Sequence, residues 1–325
     1  MSDLSPRLCL SSHFNYFTQY LKQLPRQFES LDANRITLIH FCLIGTKLTK
    51  EDKDIPLERE AAIDAIYQLQ SPTGGFVSSW TSKPLCPSDL PHSVANIAMT
   101  YSAISSLRLL GDDLSRIDRS GLKSHIQALQ LPNGCISCSV GSESDMRFVY
   151  CACVVCDVIS CWECLDQNLL SSYIMTCLNI DGGFGATPYG ESHAGSTFCA
   201  IASLFLMNKL DLITSVKRRI LRFLHGLQTQ GLHGRLAKAD DSCYTYWVGA
   251  TVAILDPDSL HLFKQSNLID FISTCTHQVS QSPRAVAVAK NPESLPDPMH
   301  ASLGLAGLLV VTGKVSGWED VLLSR

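Results

Sequence analysis

The sequence predicts an all-α protein, an α/α barrel of repeated helix pairs with an inner and an outer helix layer. Two observations carry that prediction. A glycine-turn motif recurs, as LQSPTGGF (69–76), LQLPNGCI (129–136), LNIDGGFG (178–185) and LQTQGLHG (227–234), with Gly134, Gly183 and Gly231 at intervals of 49 and 48 residues. Each copy lies between two helical stretches of different character, and a long period with two helices per unit marks a helical array.

The stretches ahead of the turns, such as RSGLKSHIQALQL, are amphipathic and belong to the outer layer. Those after the turns are apolar nearly all round and belong inside: 96–110, 146–159, 196–207, 243–255 and 300–311. The last unit departs from the pattern, reading RAVAVAK at 284–290 without a double glycine. Strand content is expected to be negligible. The whole chain, 1–325, reads as one domain.

Composition narrows the function. An apolar share of 46% against 17% charged residues supports a sizeable core. A net charge of −4 argues against a broad nucleic-acid footprint, which needs a basic face. The longest apolar run, LGLAGLLVV at 303–311, falls short of the roughly 18 residues of a membrane span. The opening MSDLSPRLCL lacks a basic start followed by an apolar run, so a cytoplasmic location is expected. There the 14 cysteines stay reduced and serve as core residues, ligands or nucleophiles.

The repeat places the segments between turn and inner helix at one end of the barrel. They carry Asp145 and Arg147, Glu191 and His193, Arg235 through Asp241, and Lys290 through His300. Polar groups on the rim of an apolar cavity describe a site for an amphipathic substrate.

Within ADDSCYTYW (239–247), Asp241 precedes Cys243 at a helix start, and His300 opens the corresponding helix of the last unit. Asp, Cys and His with a fourth position open make a catalytic zinc set. Equally, Asp241 caps the helix and Cys243 packs as a small hydrophobe. Three C-x-x-C pairs, 135/138, 153/156 and 161/164, raise structural zinc as a rival. Cys153 and Cys156 lie inside an apolar helix, with no loop to shape a knuckle. Arg235 and Lys238 in HGRLAK, with His193 and Tyr244, offer donors for a diphosphate; a solvated loop paired to Asp240 or Glu191 is the plainer alternative. Tyr150, Cys199, Tyr246 and Trp247 form either core or the wall of a lipid cavity.

These residues resemble a family. IAMTYSAISSLRLLGDDLSRID (97–118), GSESDMRFVYCA (141–152), ESHAGSTFCAIASLFLM (191–207) and HGRLAKADDSCYTYWVGAT (233–251) are similar to the β-subunits of protein prenyltransferases, above all those of the geranylgeranyl type I enzymes. The resemblance runs over essentially the whole chain and implies an α/α barrel. It assigns catalytic zinc to Asp241, Cys243 and His300. Diphosphate contacts fall to His193, Arg235, Lys238 and Tyr244, and lipid or peptide contacts to Arg147, Tyr150, Cys199, Trp247 and Met299.

Subtype rests on two positions. Thr37 stands where farnesyltransferase relatives carry Trp, leaving room for a C20 chain. Lys290 replaces an Asp that serves magnesium there, so zinc dependence without a magnesium requirement is expected. The implied reaction transfers a geranylgeranyl group from its diphosphate to the cysteine of a C-a-a-X protein with X Leu or Phe, such as a Rho-type small GTPase. It further implies a heterodimer with an α-subunit, without which the chain is inactive. The alternatives are a farnesyltransferase, a Rab-type geranylgeranyltransferase and a non-catalytic scaffold. The chain departs from the family in RAVAVAKNPES, in Met299 for leucine, in Asn96 for histidine and in a short segment at 76–92.

Overall fold

The computed structural model of the chain describes residues 10–50, 57–82, 95–279 and 284–314. Much of the short segment at 76–92 thus lies outside the described residues, as does most of the opening decapeptide. The α-helices are α1 (Leu10–Lys22), α2 (Arg35–Thr49), α3 (Arg59–Tyr67), α4 (Ile97–Leu109), α5 (Arg119–Leu129), α6 (Met146–Ile159), α7 (Gln167–Thr176), α8 (Ala194–Leu206), α9 (Lys217–His225), α10 (Tyr244–Leu255), α11 (Gln265–Thr274) and α12 (Pro298–Val311). Helices α2, α4, α6, α8, α10 and α12 form a ring in which each packs on the next and α12 returns to α2. The barrel is closed.

Burial explains which helix takes which layer. On α5 only Leu122, Ile126 and Leu129 are buried, one stripe at helical spacing. On α12 Pro298 and every residue from His300 to Val311 are buried, so it must lie inside. The five expected inner helices all appear, with ends shifted by at most two residues. The sixth inner helix, α2, precedes the first glycine turn and so fell outside the repeat. None of the described helices is long and apolar enough to cross a membrane.

The glycine turns let each unit nest on the next. Gly182 adopts φ +99°, and a Cβ there would lie 2.4 Å from the Arg219 carbonyl oxygen on α9. No other residue fits such a contact. Antiparallel bridges Gln130↔Ile136 and Leu178↔Phe184 pinch the turns shut.

The last unit differs from the expectation of negligible strand. Residues β1 (Thr276–Gln278) and β2 (Val286–Val288) pair antiparallel, with His277 opposite Ala287. The alternation in AVAVA has period two, and Ala287 and Val288 are buried. A small hairpin takes the place of the missing glycine turn.

Helices α10 and α12 approach backbone to backbone. A Cβ on Gly307 would fall 2.2 Å from the Tyr246 amide nitrogen. That contact packs the first turn of α10 against the second half of α12.

Candidate metal centre and the cavity beside it

Each inner helix from α4 onwards starts at the rim with a polar side chain holding its first turn. Asn96 accepts from Met99 N at 2.8 Å, Asp145 from Arg147 N at 2.9 Å, and His193 Nδ1 from Gly195 N at 3.1 Å. Asp241 Oδ1 accepts from Cys243 N at 3.0 Å just ahead of α10. Asp297 Oδ1 accepts from Met299 N and His300 N, both at 3.0 Å. Such caps satisfy amide donors that the helix itself leaves free. They also set polar side chains along one rim, and those at the starts of α10 and α12 meet at one point.

At that point Asp241, Cys243 and His300 offer an oxygen, a sulfur and a nitrogen all within 4.8 Å of one another. The cap and the ligand readings of Asp241 therefore hold together: one oxygen accepts the Cys243 amide and the group still faces His300. His300 Nε2 lies 3.4 Å from Asp241 Oδ1, while its Nδ1 is 2.6 Å from Asp297 Oδ2. With Nδ1–H donated to Asp297, Nε2 is the nitrogen presented to an ion. The donor set fits zinc: one thiolate, one imidazole, one carboxylate.

Charges in the cluster are strongly coupled. Burial pushes the His300 ring down, yet Asp241 and Asp297 hold its pKa up to about 9. Burial pushes the Asp241 carboxyl up, but bonds from His300 and Cys243 carry it below its ordinary value. Burial, then the Asp241 charge, drives the Cys243 thiol well up. Without a cation the thiol keeps its proton; a bound divalent ion reverses that preference.

Lys290 joins the cluster through the hairpin. Ser242, fully buried between Asp241 and Cys243, donates through its amide to Lys290 O at 2.9 Å and through Oγ to Ala289 O at 2.8 Å. This tether sets Lys290 Nζ 3.8 Å from Asp241 Oδ2.

A cavity of about 530 Å³ opens beside the cluster. Tyr101, Tyr150, Cys199 and Trp247 give it an apolar wall, and Arg147, His193, Arg235 and Tyr244 stand among its lining residues. Aromatic rings run along the wall: Tyr101 and Tyr150 centroids are 5.8 Å apart, Tyr150 and Phe198 5.2 Å, Phe198 and Trp247 5.1 Å. Trp247 follows Cys243 by one turn on α10, which joins cavity and cluster.

The polar side is preset for an anion. His193 Nδ1 is an acceptor, and burial followed by the Arg235 charge lowers its pKa, so the ring is neutral with its proton on Nε2. That proton goes to Tyr244 Oη at 3.1 Å, leaving the tyrosine O–H to donate elsewhere. Arg235 Nη1 meets Glu191 Oε2 at 2.5 Å, and Arg147 grips Asp145 through Nε and Nη2.

Seven of the expected residues thus line one cavity: Arg147, Tyr150, His193, Cys199, Arg235, Tyr244 and Trp247. Three stand apart from both cavity wall and cluster. Lys238 is exposed on the rim loop, and Met299 follows the α12 cap. Thr37 bonds neither into the cavity nor back to its own helix, but to Ser102 Oγ at 3.1 Å and to the Met99 sulfur at 3.6 Å. Sequence reasoning missed Asp297, Ser242, Tyr101 and Phe41. For Asp297 the D-x-x-H spacing at a helix start was the available signal.

The family described as prenyltransferase alpha-alpha toroid domain matches residues 8–321. The chain is 32% identical over 321 residues to the geranylgeranyl transferase type-1 subunit beta of Arabidopsis thaliana, covering 90% of this chain and 82% of that one. It is 30% identical over 317 residues to the subunit of that name from Dictyostelium discoideum, covering 90% and 88%. A farnesyltransferase subunit beta of Arabidopsis thaliana is 31% identical over 243 residues, covering 74% and 48%. Among solved structures, Candida albicans protein geranylgeranyltransferase-I complexed with GGPP aligns with a TM-score of 0.81 at 24% identity, over 93% of this chain and 91% of that one. That likeness bears out the α/α barrel.

Proposed function

Because the chain belongs to the prenyltransferase alpha-alpha toroid family, we propose that it is the catalytic β-subunit of a protein geranylgeranyltransferase type I. The observation that carries the reading is the junction at Cys243, Tyr244 and Trp247. Three neighbouring residues there serve the candidate metal cluster, the anion-binding side and the apolar wall. A prenyl diphosphate and a thiol acceptor need those three environments side by side.

In this reading the isoprenoid lies along Tyr101, Tyr150, Cys199 and Trp247. Its diphosphate takes the place of Glu191 on Arg235 and accepts from Tyr244, with His193 fixing the tyrosine and Lys238 reaching in from the rim loop. Asp241, Cys243 and His300 would hold a zinc ion, which supplies a Lewis acid that keeps the acceptor cysteine as its thiolate at neutral pH. The thiol sulfur forms a bond to C1 of the lipid as the C1–O bond to diphosphate breaks. Arg235, Tyr244 and Lys290 receive the charge that develops on the leaving oxygen. Lys290 beside Asp241 supplies the positive charge that a magnesium ion would otherwise bring.

Acceptors are C-a-a-X proteins with X Leu or Phe. Val140, Tyr189, Leu236 and Leu295 stand 70%, 102%, 62% and 81% exposed on successive rim loops. Such apolar exposure supports an α-subunit covering this end. The enzyme belongs in the cytoplasm, where its thiols stay reduced.

The test is prenyl transfer to a Cys-a-a-Leu peptide by the chain co-purified with an α-subunit, offered C15 and C20 diphosphates with and without zinc and magnesium. Zinc-dependent, magnesium-independent use of the C20 donor is expected, and Thr37→Trp should turn preference towards C15. Preference of the wild type for C15 would keep the site and overturn the subtype. No transfer from either donor would overturn the enzyme reading.

A further inference from the structure

At the end of α6 away from the rim, the structure assigns a thiol pair that no part of the transfer chemistry uses. Ser160 adopts φ +55° directly after the helix. Its amide donates to Asp157 O at 3.2 Å, and the Cys161 amide donates to Cys156 O at 2.9 Å. Those two bonds define a Schellman cap, in which the residue two beyond the helix end and the residue three before it pack side chain against side chain. Here both are cysteines.

The same cap closes three other inner helices. On α4 the packed positions are Leu107 and Asp112, on α8 Leu204 and Lys209, on α12 Leu309 and Lys314, given by the bonds from Asp112 N to Leu107 O, Lys209 N to Leu204 O and Lys314 N to Leu309 O. In each the outer position is charged. At α6 it is Cys161, fully buried, with the thiols of Cys156 and Cys164 beside it. Cys164 lies in the 3-10 turn Trp162–Cys164, its amide 3.0 Å from Cys161 O. Above them Lys123 Nζ meets Glu163 Oε1 at 2.5 Å. The two C-x-x-C pairs of this region are therefore not the functional pairing; the contact crosses from one to the other.

We propose that Cys156 and Cys161 form a reversible intramolecular disulfide, making the cap of α6 an oxidant-sensitive site for hydrogen peroxide. The Cys161 thiolate attacks the peroxide O–O bond, giving a sulfenic acid and releasing hydroxide, which takes up the thiol's proton as water. The Cys156 sulfur then displaces the hydroxyl oxygen, forming S–S and a second water. In sum two thiols and one peroxide give one disulfide and two waters. The neighbouring Cys156, and after it Cys164, outweigh burial and lower the Cys161 pKa, which favours it as the attacking sulfur. Both sulfurs are shielded in the folded chain, so reaction proceeds through fraying of the last turn of α6 and admits a small oxidant before a bulky alkylating reagent.

The experiment treats the folded chain, in complex with its α-subunit, with hydrogen peroxide, then denatures it, alkylates it and maps the digest by mass. Expected are the loss of two alkylatable thiols, a link joining the peptides of Cys156 and Cys161, and its reversal by dithiothreitol. Cys161→Ser should abolish the link, while Cys164→Ser should leave it. Far-ultraviolet dichroism of both variants checks that the fold survives, and Cys156→Ala gives a second variant that must also lose the link. A Cys161–Cys164 link, a link surviving in Cys161→Ser, or alkylation of both Cys156 and Cys161 after treatment overturns the proposal. None of these outcomes depends on prenyl transfer.

Discussion

Replacing Asp297 separates two roles that one carboxylate combines. Oδ1 caps α12 through the amides of Met299 and His300, and Oδ2 takes the His300 Nδ1 proton at 2.6 Å. Asparagine keeps an oxygen for the cap but puts an N–H₂ where Oδ2 stood. Two donors then face each other, and the imidazole relieves this by moving its proton to Nε2, the atom that must coordinate the ion. For Asp297→Asn we expect stability within a few tenths of a kcal/mol of wild type and zinc binding weakened roughly 10–100-fold, about 1.4–2.7 kcal/mol. Asp297→Ala should show that affinity loss plus about 1 kcal/mol of folding stability from the lost cap. Competition against a chromophoric chelator measures the first quantity, and denaturant unfolding of the metal-free chain the second. Wild-type zinc affinity in Asp297→Asn, or equal stability losses in the two variants, would refute the division of roles.

Two further outcomes follow from buried groups. The rings of His13 and His40 are buried with no hydrogen-bond partner at either nitrogen, and burial lowers their pKa values to about 4 and about 3. Their folded values lie below the unfolded 6.5, so the stability they allow is present above that pH and is lost as pH falls, by about 2 kcal/mol each between pH 7 and pH 5. His40→Leu should flatten the stability–pH curve by that amount over this window, read from denaturant midpoints; an unchanged slope would contradict it. Gly307→Ala should force α12 off α10, costing at least about 1–3 kcal/mol and weakening zinc binding, since the same seam sets His300 against Cys243. An alanine variant with wild-type stability would show that the seam can yield.

The layers were legible because inner and outer helices differ in amino-acid pattern along their own length. The closing helix α2 was not, since its place in the ring comes from contacts with α4 and α12 that no local motif marks. The metal group showed in the spacing of Asp241 and Cys243 and in His300 at a helix start, but spacing alone could not choose between cap and ligand. The structure has Asp241 capping α10 while its carboxylate still faces Cys243 and His300. Tyr101 and Phe41 were hidden because an aromatic residue on an inner helix looks the same whether it fills a core or borders a void. Ser242 was hidden for another reason: its bonds reach a hairpin 47 residues away, which the AVAVA alternation marks only in retrospect.

The candidate cluster joins the last inner helix to the one before it. Asp241 and Cys243 stand at the start of α10, His300 is on α12, and α12 packs on α2, whose first residue lies 263 positions before its own (298 − 35). Contacts between segments so distant along the chain form slowly, because a long loop must be ordered before they return any energy. An ion bound by all three residues would tie α12 to α10 and so hold in register the helix that completes the ring. Removing it should loosen the seam between α10 and α12 first, and only through α12 its contact with α2. A metal held there would also serve as a clasp on the helix that closes the ring.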